Sequence, residues 1–312
     1  MRIKLILFLF LTSNFYCFSI GNPVDSLAEQ LTKSSGKQRI DILNQLAERY
    51  RNSNIDTTLY LAELALNESN AINYQEGIAD AFHKKGIYYY FTDDYENALR
   101  FYNKSKSIAK KLKNKRLEAQ ALAWIGSIYR VQAKHKNAQL YYNDALKLSR
   151  RINDKQLIIY CLRSIGDDYR MQLKNDLALE YLTEAINICN ESNNVEEKAF
   201  ILIHLGELYQ IQSEFFKSTR ALNEAITLSR KINNKNIVCI GIYTLGEISL
   251  AKSDYVAALN YFNQSLNLAN ELKDKIRLID CYLSIGDVYR LQNDLKKAME
   301  YYKRSEEHTS EL

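Results

Sequence analysis

Residues 121–151 read ALAWIGSIYRVQAKHKNAQLYYNDALKLSRR, and residues 161–191, forty positions on, read CLRSIGDDYRMQLKNDLALEYLTEAINICNE. Both carry a glycine (Gly126, Gly166), a tyrosine three later (Tyr129, Tyr169) and an alanine twelve later (Ala138, Ala178). Working outward, the glycine recurs at Gly86, Gly206, Gly246 and Gly286, so a spacing of 40 is held five times without insertion or deletion. Self-similarity this regular means a repeat architecture. Four residues before each glycine stand Phe82, Leu122, Leu162, Leu202, Ile242 and Tyr282, and three after it Tyr89, Tyr129, Tyr169, Tyr209, Ser249 and Tyr289. Those offsets put large side chains on one helical stripe.

A second stripe follows in each unit. Twelve after the glycine come Ala98, Ala138, Ala178, Ser218, Ala258 and Ala298; sixteen after come Tyr102, Tyr142, Leu182, Leu222, Phe262 and Tyr302. Polar breaks fall eight after each glycine, at Asp94, Lys134, Lys174, Glu214, Asp254 and Asp294, and again between units, as at Asn153-Asp154-Lys155. Each unit therefore reads as helix, short turn, helix, polar turn. A glycine inside a helix costs about 1 kcal/mol against alanine, so these glycines must be offset by packing. The contact they predict is a close crossing in which glycine on the first helix and alanine on the second let the two axes approach.

Composition agrees with an all-α chain. Of 312 residues, 46% are hydrophobic, 25% are charged and one is proline, which argues against a turn-dense β sandwich. A mean hydropathy of −0.35 excludes a polytopic membrane protein. The formal charge of +5 is spread among acids, so no nucleic-acid groove is implied.

The two ends read differently from the middle. Arg2 and Lys4 precede the apolar run Leu5–Leu11, and Cys17, Phe18 and Ser19 precede Ile20, so residues 1–19 are read as a signal peptide. An uncleaved anchor is the alternative. Tyr16 and Asn14 do not suit a lipidated Cys17. At the other end, Arg304–Leu312 matches the in-frame translation of a sequencing adapter, so 304–312 is read as a non-native tail and the frame as truncated near Lys303.

The glycine, the tyrosine at three, the alanine at twelve, the aromatic or leucine at sixteen and a small residue at nineteen (Ser105, Ala145, Ala185, Ala225, Ser265) together resemble the tetratricopeptide repeat family over about Tyr74–Lys303. The period is 40 where that family usually has 34, and its closing proline is replaced by Lys110, Arg150, Asn190, Arg230 and Asn270. In this the chain is similar to long-period bacterial members, among them receptors for short peptides and sensory regions of kinases and transcription regulators. The resemblance implies a right-handed superhelical α-solenoid of antiparallel helix pairs. Its repeats would occupy 73–112, 113–152, 153–192, 193–232, 233–272 and 273–303, the last cut short. Residues 20–72 are read as N-terminal helices with a degenerate capping repeat, Leu46 standing where the glycine would be.

The resemblance also implies a concave wall built from the first helices, at three before, one after and four after each glycine. The wall residues assigned to partner binding are Tyr90, Arg130, Arg163, Asp167, Arg170, Glu207, Gln210, Tyr243, Glu247, Asp287 and Arg290; His83, Ile87, Ala123, Ser127 and Ile203 share those registers. An acid and an arginine three apart pair within one helix, and stacked repeats would set them in a ladder of alternating charge suited to an extended peptide. The competing reading is solvated ion pairs worth about 0–1 kcal/mol each.

Other chemistry finds little footing. Cys161, Cys189, Cys239 and Cys281 lie on or near apolar stripes, where small buried thiols are usual; pairing of Cys161 with Cys189 stays open. No Cys/His cluster suits zinc, no phosphate loop, nucleophile elbow or HExxH is present, and His204 with Glu207 supplies only two ligands. The expectation is a non-enzymatic scaffold without cofactor or metal, exported to the periplasm or anchored facing it. A protein or peptide segment would lie in the groove, no nucleic acid would bind, and a membrane would be met only through the signal or a missing C-terminal part. A free-standing periplasmic assembly scaffold and a cytoplasmic peptide-sensing regulator with a misread start are the alternatives.

Overall fold

The computed structural model describes residues 23–51 and 53–309. The signal-peptide reading of 1–19 and the thiol of Cys17 lie outside them. The described residues form fifteen α-helices and no strand. The chain divides into two compact units, Met1–Ile128 and Tyr129–Leu312.

The N-terminal unit contains α1 (Pro23–Lys33), α2 (Gly36–Tyr50), α3 (Ile55–Ala71), α4 (Gln75–Phe91), α5 (Tyr95–Lys111) and most of α6 (Lys115–Val131). Helix α2 packs on α3, α3 on α4 and α4 on α5. Leu46, in the register where later repeats carry glycine, is buried with Ile40, Leu43, Leu61 and Ala65, and Val24 and Leu27 of α1 rest on that cluster. The C-terminal unit contains α7 (His135–Arg151), α8 (Lys155–Met171), α9 (Asn175–Ser192), α10 (Val195–Ile211), α11 (Phe215–Lys231), α12 (Lys235–Ala251), α13 (Tyr255–Leu272), α14 (Lys275–Leu291) and α15 (Leu295–Thr309). Each of these helices packs on the next, and α8, α10, α12 and α14 also touch one another in turn, which makes this unit a stack of antiparallel pairs.

A 20-residue rhythm sets the helix lengths. Positive φ recurs at Asn73, Asp93, Lys113, Ala133, Asn153, Leu173, Asn193, Ser213, Asn233, Ser253, Lys273 and Asn293. At these turns, that of Asp93 excepted, the next amide folds back onto the carbonyl five residues earlier, as in Asn114 N to Ala109 O (2.9 Å) and Lys174 N to Tyr169 O (3.0 Å). That bond pattern closes a helix without proline. The following residue then starts the next helix: Asp94, Asn114, Asp154, Asn194, Asn234, Asp254, Asp274 and Asp294 each accept from the backbone N–H three residues on. Such a cap is worth about 1 kcal/mol. Where the break residue is Asn or Asp, the polar breaks read from the sequence are these αL-then-cap pairs; at Lys134, Lys174 and Glu214 the αL turn stands without a side-chain cap.

The crossing of each pair is made at the glycines, with one refinement. A β-carbon on Gly86, Gly166, Gly206, Gly246 or Gly286 would stand 2.5–2.8 Å from Tyr102, Leu182, Leu222, Phe262 or Tyr302, the residue sixteen later. The missing side chain therefore seats a ring or a leucine as well as bringing two axes together. Ala98, Ala138, Ala178, Ala258 and Ala298 are all buried. Ser218, the one departure in that register, is buried too and donates its hydroxyl to the Gly206 carbonyl at 2.6 Å.

Helix α15 runs on through Arg304–Thr309, with Ser305 buried in the small-residue register and His308 stacked on Tyr282 at 5.5 Å. The repeat register thus continues past Lys303. Adapter origin is a property of the nucleotide sequence, to which helix formation is neutral. Cys161, Cys189, Cys239 and Cys281 are buried free thiols, and burial pushes Cys161 and Cys281 up to about 12.

Candidate binding face

The wall residues divide between the units. In the N-terminal unit Tyr90 stands edge-on to Trp124 (5.1 Å), Tyr95 and Phe91. His83 and Ile87, in the neighbouring registers, are buried, and burial together with the Lys84 charge drops the His83 imidazole to about 4. Lys84 is buried as well; its ammonium reaches Glu48 of α2 at 2.8 Å.

In the C-terminal unit the stacked first helices carry a connected charge ladder. Arg130 donates to Asp167 at 2.9 Å; Arg170 donates to the other oxygen of Asp167 at 2.7 Å and reaches Glu207 of α10 at 3.3 Å. The His204 Nδ1 lies 3.6 Å from Asp167 and 3.5 Å from Glu207. Burial would raise the Asp167 carboxyl, but His204, Arg130 and Arg170 more than offset it and hold it at about 2. Glu207 is likewise lowered against its burial by His204 and Arg170. The arginine side chains stay 23% and 21% exposed. Charges of both signs alternate along these helices: the shortest link, Arg170–Asp167, lies inside α8, and the Arg130–Asp167 and Arg170–Glu207 links join one repeat to the next.

The other wall residues separate from this ladder. Glu247 of α12 makes no ion pair; burial and the charge of Glu207 push it up to about 7. Arg163 binds Glu197 of α10 at 3.1 Å and lies over the rings of Tyr160 and Phe200. The Tyr243 hydroxyl bonds Ser284 of α14 at 2.9 Å, under the guanidinium of Arg277. Gln210 is half-buried. Asp287 and Arg290 pair within α14 at 3.0 Å, both half exposed, and Tyr302 donates to the same carboxylate; here the solvated-pair reading describes the geometry.

Asp168 was not singled out from the sequence. It is fully buried on α8, accepts from Gln139 (3.2 Å) and Gln172 (2.8 Å), and lies 2.7 Å from the His135 Nδ1 of α7. A signal existed: two after the glycine the other repeats carry Tyr88, Ile128, Leu208, Ile248 and Val288. A carboxylate in an otherwise apolar register must find partners where it is buried. Among the described residues no group of three His, Cys, Asp or Glu is placed to hold a metal, and no helix is long and apolar enough to cross a membrane.

Stacked antiparallel helix pairs held at a 40-residue period define an α-helical repeat protein. The tetratricopeptide repeat model matches residues 77–151, 117–191 and 238–310, more than half of the chain, and the chain belongs to that family. The unmatched stretch includes α10 and α11, where Ser218 replaces the usual alanine, yet the pair is built like its neighbours. Comparison with curated protein sequences gives no match. Among solved structures, the apo form of RapI is similar with a TM-score of 0.67 at 15% identity over 87% of this chain and 97% of that one. Aspartyl phosphate phosphatase F from Bacillus subtilis is similar with a TM-score of 0.67 at 14% identity over 99% and 80%. The Rap conjugation gene regulator of plasmid pLS20, in complex with the Phr* peptide, gives 0.61 at 13% over 92% and 94%. At such identities the likeness is one of fold.

Proposed function

We propose that this chain is a non-enzymatic protein-binding scaffold whose C-terminal unit takes a peptide or protein segment along its first-helix face, as the interaction or sensory region of an exported signalling protein. The observation that carries the reading is the partly buried ladder Arg130–Asp167–Arg170–Glu207, in which charges of both signs are fixed by ion pairs and the arginines still reach solvent. Such an array offers paired donors to a segment's carbonyls and carboxylates and acceptors to its amines. Membership of a repeat family and fold likeness to a peptide-bound regulator support it.

The test is a displayed library of linear peptides enriched on the full chain. Peptides so obtained are then measured against the variant Arg130→Gln/Asp167→Asn/Arg170→Gln, which removes two cations with the buried anion between them. Loss of at least about tenfold in affinity, which is about 1.4 kcal/mol, is expected with circular dichroism unchanged. Failure to enrich any peptide, or equal affinity for the folded variant, sinks the assignment. Export is tested separately, by fusing residues 1–33 to a reporter that works only outside the cytoplasm.

A further inference from the structure

Residues 110–116 read KKLKNKR, five cations in seven residues, folded as the corner where α5 ends and α6 begins. Arg100, Lys104 and Lys106 carry the charge back along α5, so 100–116 hold eight Lys or Arg and no acid. The same window one repeat on holds four cations and two acids; in the next three it holds none and four, four and one, and two and two. The modest charge of the whole chain conceals this concentration. The helices themselves do not call for it. Lys110 and Lys111 suit the negative end of α5, but Lys115 and Arg116 stand at the positive end of α6. Lys113 holds a φ of 58° where four other units place Asn73, Asn153, Asn193 and Asn233, and asparagine adopts that conformation more readily.

We propose that the α5–α6 corner is a docking surface for a bilayer rich in anionic phospholipid, with Leu112 entering the headgroup layer and Lys110, Lys111, Lys113, Lys115 and Arg116 lying against the phosphates. Among the described residues Lys110, Lys111 and Lys113 have no acid within ion-pair reach, while Lys115 meets Glu118 at 2.9 Å. Burial and then the charge of Lys110 lower the Lys106 ammonium, as expected where like charges crowd together. Leu112, between Lys111 and Lys113, is 38% exposed. An apolar tip set among cations is the combination that holds a protein at a charged lipid interface. Nucleic acid is the poorer fit. The nearest rings, Phe82 and Phe101, lie under Lys104 and are not open to bases. Lysine outnumbers arginine six to two in 100–116, which suits diffuse attraction more than forked recognition of bases or carboxylates. A projecting corner also meets a plane more fully than it meets an acidic segment that has to be enclosed. The corner shares no residue with the Arg130–Glu207 ladder, so the two assignments stand or fall separately.

Co-sedimentation of the full chain with vesicles tests this, using phosphatidylcholine alone and phosphatidylcholine with about one third phosphatidylglycerol at ~0.1 M salt. Residues 1–19 are common to every variant, so the apolar run Leu5–Leu11 cancels from the comparison and its own insertion shows on the neutral vesicles. Wild type should prefer the anionic vesicles, each cation near such a surface being worth about fivefold. Lys110→Gln/Lys111→Gln/Lys113→Gln, three exposed positions, should then lose about a hundredfold with circular dichroism unchanged. Leu112→Ser should lose about fivefold. Arg230→Gln/Lys231→Gln/Lys235→Gln, at the matching corner of α11 and α12, should bind like wild type. Equal binding of wild type to both kinds of vesicle, a triple lysine variant that binds like wild type, or an equal loss at the α11–α12 corner overturns the proposal. So does corner-dependent binding to a DNA duplex or to polyglutamate that is tighter than binding to the anionic vesicles.

Discussion

Phe262 occupies the space that Gly246 leaves open, and the contact is tight enough to give a signed expectation. A β-carbon on Gly246 would lie 2.6 Å from Cε1 and 2.7 Å from Cδ1 of that ring, roughly 1 Å inside the best carbon–carbon separation. The ring is fully buried, boxed in by Ile285, Val288 and Ala258 and packed on Tyr243, so it has no free direction to retreat. Gly246→Ala gains about 1 kcal/mol of helix propensity and loses about 1–3 kcal/mol to overpacking. The single substitution should therefore destabilise by about 0–2 kcal/mol. Phe262→Ala costs about 3–5 kcal/mol through its cavity, but it vacates the space, so Gly246→Ala added to it should stabilise by about 1 kcal/mol. The sign reversal amounts to a coupling of about 1–3 kcal/mol in a double-mutant cycle. Urea unfolding of the four proteins measures it, with hydrogen exchange at α12 and α13 as a local readout because stacked repeats need not unfold in one step. Additivity within about 0.5 kcal/mol would refute the claim that the glycine is there to seat the ring.

Leu173 holds a φ of 57° with 71% of its surface exposed, a backbone conformation that costs a branched residue about 1–2 kcal/mol; Leu173→Gly or Leu173→Asn should raise urea stability by about 1 kcal/mol, and no gain would mean the turn is not strained. Asp168→Ala leaves the amide donors of Gln139 and Gln172 without their shared buried acceptor and removes the partner of His135, so urea unfolding should show a loss of about 2 kcal/mol or more. For Glu48, burial is outweighed by Lys84 and Arg51, which hold the acid at about 2. A depressed carboxyl gives stability that is complete above its unfolded value near 4.5 and is lost as pH falls toward 2. The gap between wild type and Glu48→Gln should accordingly be about 1 kcal/mol at pH 6, discounted for its partial exposure, and vanish near pH 2; a gap unchanged by acid would deny the ion pair its role.

The exact 40-residue period explains both what the sequence made plain and what it withheld. Helices, turns and the glycine seats were legible because each is a local rule repeated in register: Asn or Asp caps, αL turns, a missing side chain opposite a large one. The charge ladder was ambiguous, because an acid one after the glycine stands 3 residues from the arginine in its own helix and 37 from the one in the repeat before. Both spacings are satisfied at once, and only packing says which oxygen meets which guanidinium.

Counting cations at those two spacings nonetheless orders the acids. Asp167 has Arg170 at 3 and Arg130 at 37 and is doubly paired. Glu207 has Gln210 at 3 and Arg170 at 37, and keeps one cation with the help of His204. Glu247 has Leu250 at 3 and Gln210 at 37, and is left with none. Asp287 has Arg290 at 3 and Leu250 at 37, and pairs only within its helix. The direction in which each buried carboxyl moves follows that count: Asp167 falls to about 2, Glu207 is lowered and Glu247 rises to about 7. In a repeat of fixed length the partner of a wall residue is thus the residue three on or thirty-seven back, and an acid that finds no cation at either place, as Glu247, is the one whose carboxyl burial and a neighbouring acid raise.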